Sequence, residues 1–364
     1  MLNEKFLEES CIICDNIYPL TKIEQLGLDG FSEKTHIPAI SKLFKYFPNT
    51  RKWDKKEKRY RNFSYEALTN NTVFLQDAEN FDDSFDCAID LDWTKFLLNR
   101  LRQYCDYFNV TYPQDNKIDD LLYHLSTKLY EYGSLENILA ETDKFSDPVQ
   151  KLNVELFIRS VYYYVTMGIE WQHSIIKVMD KEYHNFINQF KKFKISCFSV
   201  SPFLNRMWSS QYADDNKGFC LEYEIDLNTP DKVNLFINTF PVIYSQKRSD
   251  VLPISVDCDK IISKEFLWQM FFNGLLRKSL FWADQKEWRL ILLKDMIKSN
   301  PLPFFKIKKV YLGNKMSHKA RTKIIKYCRS HKIEYVGLIR DSNSFSLKEC
   351  AGDCYSCKKQ TRTS

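Results

Sequence analysis

Glycine and proline are scarce, nine and eleven in 364 residues. That shortage excludes collagen-like and low-complexity chains, whose composition cannot support a packed core. Long apolar runs are missing too: the best membrane candidate, residues 266–276, is short and interrupted by Gln269 and Asn273. With no basic leader ahead of an apolar stretch, a cytoplasmic protein with no membrane partner is expected. The six histidines, His36, His124, His173, His184, His318 and His331, stand apart, so neither a Ser-His-Asp nor a Cys-His hydrolase is supported. Charge of one sign is barely in excess, +6 from 53 basic and 47 acidic side chains. Such a balance implies a partner only where it is concentrated.

It is concentrated once. Arg51, Lys52, Lys55, Lys56, Lys58, Arg59 and Arg61 stand against Asp54 and Glu57, with Trp53, Tyr60 and Phe63 among them. The stretch reads either as a solvated lysine-rich loop or as a track for a nucleic acid or protein acceptor. What is abundant is aromatic: 27 Phe and 21 Tyr in a chain that is 44% apolar, giving large buried areas and polar tips able to face a ligand. Eleven cysteines, an odd count in a long chain, fit reduced thiols. Cys11-x2-Cys14 and Cys354-x2-Cys357 are an exception, since together they could form a structural zinc site stapling the two ends. Cys87, Cys105, Cys197, Cys220, Cys258 and Cys328 lie in apolar runs and read as small core residues.

Residues 1–40 form a mixed, weakly helical lead-in. Strands are predicted at Ser41–Phe47, Thr72–Gln76, Lys194–Val200, Gly218–Ile225, Pro241–Tyr244, Glu287–Lys294, Lys308–Leu312, Ile333–Ile339 and Phe345–Lys348, from short β-branched and aromatic runs. Between about 93 and 190 the apolar residues recur at helical spacing, as in Trp93, Leu97, Leu101, Tyr104 and Phe108. Helix is also predicted over Ile261–Phe281 and from a Ser317 cap to about Ser330. These elements predict an α+β fold. A mixed or antiparallel sheet forms one domain over 41–349, with a large helical insertion at about 93–190 and a small, basic, cysteine-bearing tail at 350–364.

Two stretches, Met207–Tyr223 and Lys278–Arg289, crowd polar and aromatic residues where a plain core needs none. Lys45-Tyr46, the acidic turn Phe81–Cys87, the Cys197–Ser199 strand, MWSSQYADDNKGF and the W-x5-W-R pattern closing on Glu287, Trp288 and Arg289 occur in that order. In this the chain resembles the prokaryotic domain-of-unknown-function family 2971 over about Leu43–Leu347. It departs from the family at Asp82 and Ser84, usually Asn and Pro, and at Gln211 before Tyr212, usually His. The Lys217-Gly218 pair reads as a turn, with Gly218 supplying a positive φ.

Members of that family occur in settings of bacterial defence, and their strand motifs look similar to those of ADP-ribosyltransferases, which split NAD at its nicotinamide bond. The resemblance implies Glu287, Tyr46 and Ser199 as catalytic residues. It implies NAD contacts from Lys45, Trp208, Tyr212, Lys217, Arg289, Asp82 and Phe85. An ionised carboxylate beside the ribose would stabilise an oxocarbenium-like centre, and aromatic faces would hold the nicotinamide. Two other readings stand beside it. Asp82, Asp83 and Asp86, with Glu222 or Glu287, could bind Mg²⁺ in a nuclease. Alternatively, a non-enzymatic sensor could bind a nucleotide or phage component in the same aromatic cleft. Each residue also has a plainer role: Glu287 in a strand-surface ion pair, Tyr46 and Trp208 as core aromatics, and Ser199 as a satisfied hydroxyl.

Overall fold

The computed structural model describes residues 9–36, 40–81, 86–87, 93–113, 117–145, 148–167, 190–248, 264–344 and 346–350, with a few single positions between 177 and 188. The chain forms two compact units, one of residues 1–86, 193–247 and 276–364, the other of 87–192 and 248–275. The fold is α+β, as the pattern of elements predicts. Among the described residues, no helix is long and apolar enough to cross a membrane.

The second unit is helical. Helices span Trp93–Tyr107, Ile118–Glu131, Leu135–Ala140 and Pro148–Met167. Their three- and four-residue apolar spacing turns Leu101, Tyr104, Leu121, Leu125, Phe157 and Ile158 into one core. Tyr104 and Phe157 stack with ring centroids 3.9 Å apart at its centre. The helix predicted over Ile261–Phe281 is described from Lys264 and ends in a wide turn at Phe271–Leu275. Arg277–Ser279 beyond it is a strand, because it finds a parallel partner in Ile243–Ser245.

The first unit is built on a nine-stranded sheet. Its strands are β1 (Lys42–Phe47), β2 (Gln76–Asp77), β3 (Phe193–Ser199), β4 (Phe219–Glu224), β5 (Thr239–Pro241), β6 (Glu287–Leu293), β7 (Lys306–Leu312), β8 (Glu334–Arg340) and β9 (Leu347–Glu349). The order across the sheet is β5-β6-β3-β1-β4-β7-β8-β9, with β2 lying beside β3. Among the described strands of this sheet only the β7–β8 pair is parallel; Ser317 caps the crossover helix His318–Ser330 between them, accepting from Ala320 N. Both faces are covered, so the strands read as near-continuous apolar runs. One face carries Leu43, Phe47, Phe198, Leu221, Trp288 and Leu290, packed with Ile324 and Ile325 of the crossover helix. The other carries Phe44, Tyr46, Trp208, Cys220 and Tyr311.

Besides the helix that gives way to Arg277–Ser279, three expectations change: the strand predicted at Pro241–Tyr244 is two, Thr239–Pro241 and Ile243–Ser245, in different sheets. The lead-in contains a hairpin, Ser10–Ile13 with Asn16–Pro19, which joins Ile243–Ser245 and Arg277–Ser279 in a second sheet. The single strand predicted at 72–76 is two short pieces in different sheets. Leu75 is buried and its amide is held by Asn300 Oδ1, while Phe74 turns outward, so the chain bends where a straight strand was predicted.

Candidate functional site

The sheet has a seam. β3 is paired along its whole length with β6, Glu287 opposite Ser199 and Leu293 opposite Phe193. On its other edge β2 covers Lys194 and Ile195, and β1 touches it at the single pair Phe44–Ser199. Among the described residues, Ser196, Cys197 and Phe198 therefore have no ladder partner on that side. Lys45 of β1 bridges the gap, its Nζ donating to Ser196 Oγ at 3.0 Å and to Cys197 O at 2.7 Å. A cavity of about 560 Å³ opens along this seam, walled by Phe44, Phe81, Met207, Tyr212 and Trp282.

Its floor is built on four buried charges. Glu287 and Arg289 are two apart on β6 and so share a face, opposite the core residues Trp288 and Leu290. Arg289 Nε donates to Glu287 Oε1 at 2.7 Å, and its Nη2 to Asp86 Oδ1 at 2.6 Å. Lys278 Nζ donates to Glu287 Oε2 at 2.6 Å and reaches Asp86 Oδ2 at 2.9 Å. Each cation thus bridges both carboxylates. Burial alone would raise the Glu287 carboxyl, but Arg289 and Lys278 outweigh it and hold the group well below the usual carboxylate range. Lys278 is held above its ordinary range: burial opposes the charge, and Glu287 and Asp86 restore it.

Two groups in the wall are not used up by this network. Lys45 contacts a hydroxyl and a carbonyl but, among the described residues, no carboxylate, and burial pushes its ammonium below the ordinary lysine range. The Gln285 side chain accepts from Lys278 through Oε1 at 2.9 Å, while its Nε2, with Tyr212 as polar neighbour, is buried and has no hydrogen-bond partner of ordinary geometry among the described residues. A buried donor left unpaired costs about 1–3 kcal/mol, so a ligand bringing an acceptor oxygen to this point would recover that loss. Lys278 and Arg289 are taken up by Asp86 and Glu287, which leaves Lys45 as the basic group of the lining outside that network among the described residues. The site therefore suits a ligand with an aromatic ring, an anionic group and an exposed acceptor oxygen.

The positions predicted from sequence fall into three sets. Lys45, Tyr46, Tyr212 and Glu287 line the pocket. Arg289, Ser199 and Trp208 lie behind it, each fully buried. Ser199 Oγ donates to Gln285 O at 2.8 Å and so fixes the backbone that presents Gln285. Tyr46 Oη donates to Ser201 O at 2.8 Å, and its ring packs edge-on against Trp208, 5.3 Å between centroids. Lys217 is exposed and is not in the lining. Asp82, Asp83 and Phe85 lie outside the described residues. Asp86 and Glu287 are already bound by Lys278 and Arg289, whereas Glu222 sits elsewhere, accepting from Tyr311 Oη and paired with Lys42. Among the described residues, no group of three or more His, Cys, Asp or Glu is arranged to hold a metal.

Cys11 is buried, its thiol pushed up to about 12 by burial, and Cys14 occupies an exposed left-handed turn. Cys354 and Cys357, which would complete a zinc staple, lie outside the described residues, as does Cys258. Sequence reading missed Lys278, Gln285, Trp282 and Ser196 as individual pocket residues. Three of the four lie within or beside the crowded Lys278–Arg289 stretch, which was the available signal.

The Met207–Gly218 segment is mainly a device for shaping the pocket rim. Asp214, Asp215 and Asn216 adopt three successive left-handed conformations, φ 49°, 48° and 64°, a region Asp and Asn tolerate. Gly218 does not have the positive φ expected of it. It is required because a Cβ there would meet Phe47 O at 2.1 Å and Ala213 O at 2.8 Å. The resulting tight loop buries Trp208 and turns Gln211 and Tyr212 toward the cavity.

A family model described as "Protein of unknown function (DUF2971)" matches residues 207–290, the span that contributes the rim loop and ends just after the Glu287–Arg289 floor. No curated protein and no solved structure matches the chain.

Proposed function

We propose that the seam pocket binds NAD and that the protein is an ADP-ribosyltransferase-like enzyme modifying a macromolecule, in a bacterial defence or toxin-like role. The observation that carries this reading is an ionised carboxylate, Glu287, on the floor of an aromatic-walled pocket that Lys45 also lines. When bound, NAD supplies the ADP-ribosyl group and releases nicotinamide. Positive charge then develops at the ribose carbon, where a preorganised carboxylate is worth more than in water. Arg289 and Lys278 keep Glu287 ionised and fix its rotamer. Tyr212 and Trp282 offer faces for the pyridine ring, Lys45 offers charge to the diphosphate, and Gln285 Nε2 offers a donor to an acceptor oxygen. Tyr46 and Ser199 act as positioning residues, through the 201–204 turn and the Gln285 backbone.

The test is release of nicotinamide from NAD by the full chain, with DNA, RNA and a protein extract each offered as acceptor. Glu287→Gln is expected to abolish release, and Tyr212→Ala, at the exposed mouth, to weaken NAD binding by calorimetry while leaving the unfolding temperature unchanged. No release with any acceptor, together with no NAD binding at millimolar concentration, overturns the reading. Binding without release would support the sensor instead.

A further inference from the structure

Directly beyond β1 the chain leaves the pocket and enters a second, separate feature. Lys52–Asp54 and Arg59–Arg61 pair as an antiparallel hairpin, Trp53 opposite Tyr60. Beside it lies a cavity of about 590 Å³ whose wall joins Arg51 and Arg59 to Lys319 and Lys323 of the crossover helix. The charges in this wall do not cancel. Arg61 is occupied by Asp54 and Glu66, which accounts for the lining carboxylate. Arg51 and Lys319 have no carboxylate partner among the described residues, Arg59 reaches only the exposed Glu57 at 3.9 Å, and Lys323 lies over the Tyr65 ring at 3.5 Å. Four basic side chains from two remote segments therefore meet with one long, exposed carboxylate contact, Arg59–Glu57, among the described residues. The adjoining hairpin holds two aromatic rings out to solvent: Trp53 is 51% exposed and Tyr60 is 67% exposed, their centroids 5.2 Å apart. Neither ring is buried in a core, and burial is the usual reason for such residues.

We propose that this groove binds single-stranded nucleic acid. Arg51, Arg59, Lys319 and Lys323 would follow the phosphates, and Tyr60, braced by Trp53, would stack on an unpaired base. Uncompensated cations supply affinity without sequence preference, and an exposed ring beside them selects bases that are free to stack. A duplex offers the phosphates but not the free base faces, and an acidic polypeptide offers charge without a stacking partner. The inference is independent of the seam pocket, with which the groove shares no lining residue.

The experiment is fluorescence anisotropy of labelled 12-nucleotide single-stranded RNA and DNA with the full chain, titrated between 50 and 200 mM salt. Four phosphate contacts on a single strand give a log-log slope of about −2.8, a loss of about 50-fold in affinity over that range. The variant Arg51→Gln/Lys319→Gln/Lys323→Gln, all exposed positions, is expected to flatten the slope by about 2 while keeping the wild-type unfolding temperature. Tyr60→Ala is expected to weaken binding at least about fivefold without changing the slope, since stacking is not ionic. A slope indistinguishable from zero, an unchanged slope in the triple variant, or tighter binding of duplex or of polyglutamate than of a single strand would each overturn the proposal.

Discussion

Replacing Arg289 with methionine tests the charge network on the pocket floor most directly, because methionine keeps much of the length of the side chain and removes its charge and donors. In the native arrangement Arg289 and Lys278 each bridge Asp86 and Glu287, two cations to two anions, all buried. Arg289→Met leaves two buried carboxylates on one ammonium. Breaking a buried pair on one side costs about 3–5 kcal/mol, since the remaining charge cannot be solvated. For a unit of this size that loss lowers the unfolding temperature by about 6–20 °C. In a Glu287→Gln background two cations already face the single carboxylate of Asp86, so the same substitution leaves a balanced Asp86–Lys278 pair. It should therefore cost at least about 1.5 kcal/mol less, a coupling energy within the range for residues in contact.

The pH dependence follows with a definite sign. The folded Glu287 carboxyl lies below its unfolded value of about 4.3, so its ionisation stabilises the fold above that pH and the contribution is lost as pH falls toward the folded value. Removing Arg289 raises the folded value, so acid unfolding should begin at higher pH. Urea unfolding at pH 7 with an unchanged slope, and an acid titration followed by circular dichroism, measure both effects. A loss below about 1 kcal/mol, or an equal loss in the Glu287→Gln background, would mean that Arg289 and Glu287 are not coupled in this way.

Gly218→Ala should be among the most damaging single changes in the first unit, since its Cβ meets backbone rather than a yielding side chain; the check is loss of soluble protein or a fall of more than about 3 kcal/mol in urea. Lys45 is protonated, and attracts anions, below its lowered folded pKa. NAD affinity should therefore fall as pH rises at values where an ordinary lysine, near 10.4, is still charged, and Lys45→Arg should move that fall to higher pH in a binding titration. Gln285→Leu should weaken NAD by about tenfold, one hydrogen bond to a buried donor; unaltered affinity would remove Gln285 from the recognition set. Cys11, with its thiol raised to about 12, should resist iodoacetamide at pH 8 until the protein is unfolded, a difference mass spectrometry reads directly.

Much of this architecture is legible in the amino-acid order. Glu287–Leu293 reads as a strand from its apolar run, and Ser317 reads as a cap because a hydroxyl there can accept from an exposed amide. The α+β class follows from where such runs fall. Positions that depend on long-range pairing are harder. Lys278 reads as helix by local pattern, yet it is drawn into a strand by Tyr244, more than thirty residues away. Its partnership with Asp86 depends on how three segments meet, which no spacing encodes. Glycine at 218 shows the same limit in miniature: a turn was legible, but whether the residue was needed for its φ or for the closeness of another strand was not. Likewise, nothing in residues 51–61 announces Lys319 and Lys323.

Where most sheets are sewn together by backbone bonds, this one is held across its central slit by a lysine ammonium. On either side the ladders close by main-chain pairing, so along this stretch of β3 a side chain stands where a neighbouring strand would, and the wall of the cavity is stitched by an ammonium instead of an amide.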